Sequence, residues 1–480
     1  MSKNKNHRIL LLLLPYLLII LIASLVRFFY WQYAPYVIVS EDTFSYYEVG
    51  QTMLKEFFFV NNSRTPVYSL LLTVVVNGLG LPNTPVLSWL FFEKVLYMIP
   101  FQMIMGLLGL LILYHTLRLL KLNPILSLMF ILFIGTNIII FSWERLLLTE
   151  SLATFSLILL VYISVKIFYK PGFIFFFIFL FLSIFSVMLR PFNIGLPVIP
   201  LIITILIHRK IKVAVYIIII LLLYSGFIHI YSVKNQQRWG FYGISQVSDI
   251  NLLGKILEYR LPLSAGIEEK SIYDMVSEYQ MLRRDSNPFR FLEYYNLIDE
   301  ESIPKLLQLK KFGYSVISAN LPEYLLKSTL LLPGALMDVS EKIIILPPEM
   351  STTSRIFNIN LEISRSVQII FFLIFIFSGI SVIGFLKKPS IINSTLTLAA
   401  GISLYQIALA VFTSPGEYGR LIVPAQPVMY FYSFYWFNKI IDRGKKYLIR
   451  LRGIFRPLGQ RSFNREQEIL INIWNESDLS

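Results

Sequence analysis

The sequence contains no cysteine, few histidines and little charge for its length. Its 480 residues include no Cys and only four His, which excludes disulfides, Cys-ligated zinc and thiol nucleophiles. Only 15% of the residues are charged, whereas soluble domains have about 25%. No glycine-rich phosphate loop is present. These absences disfavour a soluble domain and a cytoplasmic enzyme that uses a nucleotide sugar.

Long apolar segments take the place of the missing charge. Hydrophobic residues make up 56% of the chain, and an apolar stretch of about 20 residues can span a bilayer as a helix. The candidate spans are residues 9–29, 95–117, 124–142, 150–168, 172–189, 192–207, 213–231, 366–386, 391–411 and 421–438. The sequence therefore predicts an all-α integral membrane protein with about ten transmembrane helices.

Positive charge is unevenly distributed along this topology. The formal net charge is +14, and basic residues concentrate in alternate turns, near Arg118, Lys170, Arg209 and Lys387, and in the tail 439–480. Cytoplasmic loops carry such an excess. Both termini are therefore predicted to be cytoplasmic, with the tail on anionic lipid. The charge reflects orientation in the membrane, and no nucleic-acid partner is expected.

Hydropathy divides the chain into four parts. An N-terminal transmembrane module contains a long first outer loop, and one long polar stretch is predicted to be a mainly helical extracytoplasmic domain. Further transmembrane helices and the basic cytoplasmic tail follow. The parts are residues 1–231 (with the loop at 30–94), 232–365, 366–438 and 439–480.

The first outer loop is predicted to lie along the membrane surface. Residues 43–58 are too short and too polar to span, which is typical of a juxtamembrane amphipathic helix. Residues 66–92 contain a short apolar run broken by Pro82 and Pro85. They favour interfacial or re-entrant helices.

Acidic residues and arginines recur in the outer loops. Positive-inside bias should deplete arginine there, and ionisable groups so close to lipid indicate a functional site. Arginines fit an anionic phosphate, and a carboxylate fits a hydroxyl group that must be activated. The charged residues are Glu41, Asp42, Arg64, Glu144, Arg145, Glu150, Arg190, Glu417 and Arg420.

Short motifs in these segments resemble those of a known superfamily. Asp42 precedes Tyr46 and Tyr47, and Arg-Thr-Pro-Val-Tyr follows at 64–68. Later motifs are Leu-Leu-Thr-Glu (147–150), Leu-Arg-Pro (189–191), Asn-Leu-Pro-Glu-Tyr-Leu (320–325) and Tyr-Gly-Arg-Leu-Ile-Val-Pro (418–424). In order and topological side they resemble the motifs of the GT-C glycosyltransferases. These polytopic enzymes use polyprenyl-phosphate sugars, and they include the protein mannosyltransferases and the aminoarabinose transferases of lipid A.

The resemblance implies a GT-C-type bundle and an inverting transfer of a sugar. The donor would be a polyprenyl-phosphate sugar, and the acceptor an extracytoplasmic glycan, lipid or protein. Asp42 would be the general base, with Glu41 as a second catalytic candidate, and the two carboxylates would also suit Mg or Mn. The donor phosphate would be bound by Arg64, Arg190 and Arg420. Supporting residues would be Tyr46, Tyr68, Glu150, Glu417 and Tyr418.

Other interpretations stay open. The family has glycine, proline and an aromatic residue where this chain has Val67, Ser69 and Leu421, which leaves the substrate class undetermined. Ser40, Asp42 or Thr43 could cap the juxtamembrane helix. Glu41 could pair with Arg64 or face water. The arginines could form salt bridges that fasten loops, with partners among Glu144, Glu150 and Glu417.

Two other functional classes also fit a lipid-linked saccharide. A transporter or flippase would place its charges near the midplane, in broken helices. A polymerase or ligase would share the donor chemistry. For all of these classes we expect a multi-pass protein of the bacterial inner membrane, with its site on the extracytoplasmic side.

Overall fold

The described part of the chain consists mainly of helices joined by short loops. The computed structural model describes residues 2–33, 37–78, 84–283, 285–297, 303–340 and 352–454. The α-helices are Ser2–Tyr33, Glu41–Glu56, Pro66–Asn77, Trp89–Val95, Met98–Leu119, Pro124–Thr136, Ile138–Phe141, Glu150–Tyr169, Phe173–Leu189, Val198–His208, Ile211–Trp239, Val247–Tyr259, Lys270–Leu282, Pro288–Tyr294, Ile303–Ala319, Leu321–Met337, Thr352–Val367, Phe372–Lys387, Ile391–Thr413, Tyr418–Ile422 and Gln426–Ile454. Short 3₁₀ helices are Ser142–Arg145, Pro191–Gly195, Ser264–Gly266, Gln368–Phe371 and Val423–Ala425.

Seven helical segments are long and apolar enough to cross a membrane. They are Leu13–Gln32, Trp89–Leu119, Glu150–Tyr169, Pro191–His208, Ile211–Trp239, Ser354–Lys387 and Ile391–Thr413. The pair Pro124–Thr136 and Ile138–Arg145, bent by 52°, makes an eighth if it is one span. The prediction of an all-helical, multi-pass membrane protein is therefore confirmed.

Three of the ten predicted spans are not among these seven. Residues 124–142 form the bent pair, which breaks at Asn137, where the side chain accepts a hydrogen bond from Ile139 N at 2.9 Å. Residues 172–189 form the 17-residue helix Phe173–Leu189, which is shorter than the others. Residues 421–438 fall mainly in the helix Gln426–Ile454. A total of ten spans stays a prediction.

The polar stretch 232–365 is helical where it is described, and part of it has its own core. That core lies between Ile250 and Tyr324, and it includes the fully buried Ile256, Ile272, Val276, Phe291 and Phe312. It belongs to the same compact unit, Met1–Phe431, as the apolar helices. The second unit, Tyr432–Ser480, is helical up to Ile454. The rest of the predicted tail, 455–480, lies outside the described residues.

Candidate active site

Two chain segments that precede functional residues lie side by side. Ile38 forms an isolated parallel bridge with Leu146, in which Ile38 N donates to Arg145 O and Leu147 N donates to Ile38 O, each at 3.2 Å. The first segment leads to Asp42 and the second to Glu150. The bridge therefore brings the two acidic residues into one region, although they are distant in sequence.

Asp42 lies in the first turn of the helix Glu41–Glu56, but it does not cap the helix. Ser40 is the N-cap, and its backbone N–H donates to the Thr43 hydroxyl at 3.0 Å. That hydroxyl donates in turn to Leu147 O at 3.0 Å. The capping alternative for Asp42 is therefore wrong, because Ser40 and Thr43 fill that role and the Asp42 carboxylate reaches other partners.

Arg64 is the first partner of Asp42. Its Nη2 lies 2.5 Å from Asp42 Oδ1, and its Nε donates to Ser45 Oγ at 3.0 Å. The guanidinium lies over the ring of Tyr46, 4.6 Å from the centroid. Asn61 orients the turn, because its side-chain oxygen accepts from the backbone N–H of Arg64 at 3.0 Å. Arg64 still has one nitrogen, Nη1, with no hydrogen-bond partner among the described residues.

Arg420 contacts three carboxylates. It links the charged cluster, which comprises Asp42, Arg64, Glu150, Arg190, Glu417 and Arg420. Its Nη2 donates to Asp42 Oδ2 at 2.7 Å, its Nε to Glu150 Oε1 at 2.7 Å, and its Nη1 to Glu417 Oε2 at 3.0 Å. The Glu150 side chain is 1% exposed and that of Glu417 is 64% exposed. The contact with Glu417 is therefore in water and weak, whereas the contact with Glu150 is buried.

Arg190 is the third arginine, and it is the least satisfied. It follows the helix Phe173–Leu189 and is 8% exposed. Its Nη2 lies 4.0 Å from Glu150 Oε1, and its guanidinium makes no hydrogen bond with any described residue. Buried charged donors without hydrogen bonds are costly. Arg190 is therefore suited to a ligand that brings its own negative charge.

The cluster has a large effect on the pKa values of its members. Burial raises the pKa of Asp42, but Arg64 and Arg420 more than offset this and lower it to about 2. Burial also opposes the charge on Arg420, yet Glu150, Asp42 and Glu417 raise its pKa well above the usual value. Burial lowers the pKa of Arg190, and Glu150 only partly offsets this. Asp42 is thus an ionised carboxylate at any physiological pH.

These groups line one cavity of about 1270 Å³. Its wall includes Glu41, Asp42, Tyr46, Arg64, Glu150, Arg190, Glu417 and Arg420. Three of these charged residues lie at or just beyond the ends of apolar helices. Glu150 begins the span Glu150–Tyr169, Arg190 immediately precedes Pro191–His208, and the Arg420 turn follows Ile391–Thr413. The cavity therefore collects charge at one end of the helix bundle.

Glycines let the supporting elements approach closely. A Cβ on Gly50 would lie 2.2 Å from Ser69 O, so the helices Glu41–Glu56 and Pro66–Asn77 could not approach this closely with a larger residue at position 50. A Cβ on Gly419 would lie 2.4 Å from Asp338 O. The Gly419 backbone N–H also donates to Asp338 Oδ2 at 2.7 Å. Gly419 therefore fixes the turn that carries Arg420.

Two predicted supporting tyrosines lie behind the cavity rather than in its wall. Tyr68 is fully buried and packs edge-on against Tyr46, with ring centroids 5.1 Å apart. The Tyr418 hydroxyl donates to Glu258 Oε1 at 2.8 Å and accepts from Lys255 Nζ at 2.9 Å. Both tyrosines position other residues and do not face the cavity.

The remaining charged residues of the predicted outer loops do not join the arginines of the cavity. Glu144 does not bind an arginine of the site. Its carboxylate forms a two-point contact with Arg27, at 2.6 and 2.7 Å, inside the bundle. Arg145 lies over the ring of Tyr30, 4.8 Å from the centroid. Glu41 is exposed, and Arg64 pairs with Asp42 instead of with Glu41.

Several residues near the site were not anticipated from the sequence. Lys255 is completely buried, between Glu258, Tyr259 and Tyr418. Trp239 and Gln246 line the cavity. No signal in the sequence singles them out, because polar residues in a polar stretch are expected to face water.

The described residues contain no group of three or more His, Cys, Asp or Glu side chains that could hold a metal ion. Both oxygens of Asp42 contact arginines. A divalent cation at Glu41 and Asp42 stays a prediction.

No protein-family model matches this chain, and no curated protein has a significantly similar sequence. The functional assignment therefore depends on the chemistry of the cavity.

Proposed function

We propose that the protein is a membrane glycosyltransferase of the GT-C type, which transfers a sugar from a polyprenyl-phosphate donor to an extracytoplasmic acceptor. The observation that carries the proposal is the cavity at the ends of the apolar helices. It combines an ionised carboxylate, Asp42, with three arginines, one of which, Arg190, has no hydrogen-bond partner among the described residues.

The arginines have different roles in this proposal. The three side-chain nitrogens of Arg420 (Nε, Nη1 and Nη2) all donate to carboxylates. Arg420 therefore mainly holds Asp42 and Glu150 in place. The guanidinium of Arg190 and the Nη1 of Arg64 have N–H groups without an acceptor among the described residues. They bind the donor phosphate and stabilise the charge that grows on it as the glycosidic bond breaks.

Asp42 is the general base. As the acceptor oxygen attacks the anomeric carbon, Asp42 takes the proton of that hydroxyl group. The polyprenyl phosphate leaves with the electron pair of the broken C–O bond. Arginines lower the pKa of Asp42 to about 2, which makes it a weak base in the free protein. A bound phosphate competes for the same guanidinium groups, and the pKa of Asp42 then rises toward its usual range.

One observation favours a second class, the transporter. Arg27 and Glu144 form a buried ion pair inside the bundle, beside the break at Asn137, where Arg27 Nη1 donates to Gly135 O at 2.8 Å. Intramembrane charges and broken helices are typical of transporters. Neither residue lines the large cavity, however, and their charges are matched. A polymerase or ligase would use the same donor chemistry as the transferase.

Transfer of radiolabelled sugar tests the proposal. Purified wild type and Asp42→Asn, in detergent, receive a panel of polyprenyl-phosphate sugars and an envelope extract. We expect the wild type to transfer one sugar, and the folded variant to be slower by about 100- to 10,000-fold. Glu48→Gln, on the exposed side of the same helix, is the control. No transfer of any donor, together with donor movement across liposomes that hold the protein, would support the transporter instead.

A further inference from the structure

The polar stretch contributes a separate part of the cavity lining, which the donor chemistry does not use. We call it the domain wall, and define it as the lining residues from Trp239 to Leu297. It contains the start of the helix Val247–Tyr259 and the residues just before it. Among the described residues, the arginines that line the cavity are Arg64, Arg190 and Arg420, so none belongs to the domain wall.

Hydroxyl and amide side chains dominate the polar part of the domain wall. They belong to Ser245, Gln246, Ser248, Asn251, Ser286 and Asn287. Its charged members among the described residues are both acidic, Asp285 and Glu293. The Asp285 carboxylate already accepts from Arg290 Nη1 at 2.7 Å and from Asn287 N at 2.9 Å. This surface is therefore unsuited to phosphate or carboxylate groups, which need cationic partners.

Two hydrogen-bond donors in the domain wall are buried without acceptors. Gln246 is 5% exposed. Its Oε1 accepts from Asn62 Nδ2 at 3.4 Å, but its Nε2 has no partner among the described residues. The indole Nε1 of Trp239 is likewise buried and unpaired within the described part of the chain. Such groups are rare, and each requires an explanation.

The backbone at Gln246 is hydrogen-bonded to the turn that carries Arg64. Its backbone N–H donates to Asn62 O at 2.8 Å, and the neighbouring Ser245 hydroxyl donates to Ser63 O at 2.8 Å. These bonds fix the domain wall against the turn that carries Arg64. Both unpaired side-chain nitrogens lie beneath the cavity surface. A ligand oxygen can therefore accept from them once the two side chains, which line the cavity, rotate toward it.

We propose that the domain wall binds the acceptor, and that this acceptor is a neutral, hydroxyl-rich glycan. Sugar hydroxyl groups both accept from the unpaired N–H groups and donate to the amide and hydroxyl oxygens. Rings such as Trp239 and Phe289 supply apolar surface for the C–H faces of a sugar. The inference rests on the proposed function, because it assigns the acceptor of the same reaction.

Direct binding tests the inference without requiring turnover. The full chain, in detergent, is titrated with neutral oligosaccharides, with uronic-acid and phosphorylated oligosaccharides, and with unmodified Ser/Thr peptides. Polyprenyl phosphate is titrated separately. The variants are Gln246→Ala and Trp239→Phe, which removes the N–H but keeps a ring. Matched controls are Gln237→Ala and Trp89→Phe, because both residues are exposed and outside the cavity lining.

We expect neutral oligosaccharides to bind the wild type, and each variant to bind them about 3- to 10-fold more weakly. Polyprenyl phosphate should bind all of these proteins equally. Preference for acidic glycans or peptides, absence of neutral-glycan binding, or unchanged affinity in both folded variants would overturn the inference.

The oligosaccharide titration and the polyprenyl-phosphate titration separate this inference from the proposed function. If polyprenyl phosphate binds in an Arg190-dependent manner but neutral glycans do not bind, the donor site stands and the glycan assignment is wrong. If neutral glycans bind but polyprenyl phosphate does not, the domain wall is a glycan site and the glycosyltransferase proposal is wrong.

Discussion

Arg420 and Asp42 are 378 positions apart in the chain, yet Arg420 Nη2 lies 2.7 Å from Asp42 Oδ2. The contact joins the turn after the helix Ile391–Thr413 to the start of the helix Glu41–Glu56. Because Arg420 also contacts Glu150, a single guanidinium holds the half-buried Asp42 and the buried Glu150. Arg190 approaches the same oxygen of Glu150, but only to 4.0 Å. The two arginines should therefore respond differently to substitution.

Arg420→Gln should lower stability and abolish transfer, whereas Arg190→Gln should mainly weaken donor binding. Loss of Arg420 leaves the buried Glu150 carboxylate without its hydrogen-bond donor, which costs about 3 kcal/mol. Loss of Arg190 removes a desolvated charge, so the melting temperature of the Arg190→Gln variant should stay near that of wild type. Its affinity for polyprenyl phosphate should fall about 10- to 100-fold. Thermal melts and lipid titration measure the two effects.

Arg238→Gln is the matched control for both variants. Arg238 pairs with Glu56 at 2.5 Å in a half-exposed position outside the cavity lining, so it should change neither quantity. If Arg190→Gln unfolds the protein as readily as Arg420→Gln, Arg190 is a structural residue and the division of roles is wrong.

Stability should fall in acid through Asp42. Its pKa is about 2 in the folded protein, below the ordinary 3.8. A lowered pKa means that the ionised carboxylate stabilises the fold above about pH 4, and that this contribution of about 2 kcal/mol is lost as the pH falls through 2. The difference in melting temperature between wild type and Asp42→Asn should therefore shrink between pH 5 and pH 2.

The exposed Asp274→Asn serves as the control, because Asp274 lies outside the cavity lining. Its melting temperature should follow that of wild type throughout the acid range. A difference between wild type and Asp42→Asn that stays constant down to pH 2 would contradict the ion pairs of Asp42.

Gly419→Ala should impair activity without touching any charged group. Its new Cβ would lie 2.4 Å from Asp338 O and 2.7 Å from Ser340 Oγ, so the turn that carries Arg420 must shift. Displacements of this kind reduce rates by about 10- to 100-fold. Gly379→Ala adds the same methyl group where nothing lies within 4 Å, and should leave the transfer rate unchanged. Equal rates in the two variants would show that the turn tolerates displacement.

Most charged residues of the cavity wall could be predicted from the sequence, but Asp285 and Glu293 and the pairing of the charges could not. Asp42, Arg64, Arg190 and Arg420 stand out because charge beside apolar segments is costly and needs a cause. Their partners depend on contacts between segments that are far apart in the chain. Local spacing predicts only neighbours within a helix.

The roles of other residues could not be predicted, because these residues lie in surroundings that their residue type does not favour. Lys255 and Glu258, three positions apart on a polar helix, are typical of a solvent-exposed ion pair. Lys255 is nevertheless completely buried against Tyr259 and Tyr418. Gln246 and Trp239 become candidate binding residues only because the fold places them in the cavity wall. Span number is ambiguous for a related reason, since the helix Phe173–Leu189 has 17 residues, close to the length limit.

The absence of cysteine allows the membrane topology to be measured directly. Single cysteines at Lys121, Lys170, Lys388 and Asp274 are all at exposed positions, and no native thiol interferes. With ten spans and cytoplasmic termini, an impermeant maleimide should label Asp274→Cys in intact cells. It should label the three lysine positions only after permeabilisation. Labelling of Lys121→Cys from outside would mean that the helix Pro66–Asn77 belongs to a membrane crossing. Labelling of Lys170→Cys from outside would mean that the helix Glu150–Tyr169 crosses the membrane in the direction opposite to the predicted one. Either result would move the cavity residues that follow to the cytoplasmic side, where a polyprenyl-phosphate sugar for an extracytoplasmic acceptor would be out of reach.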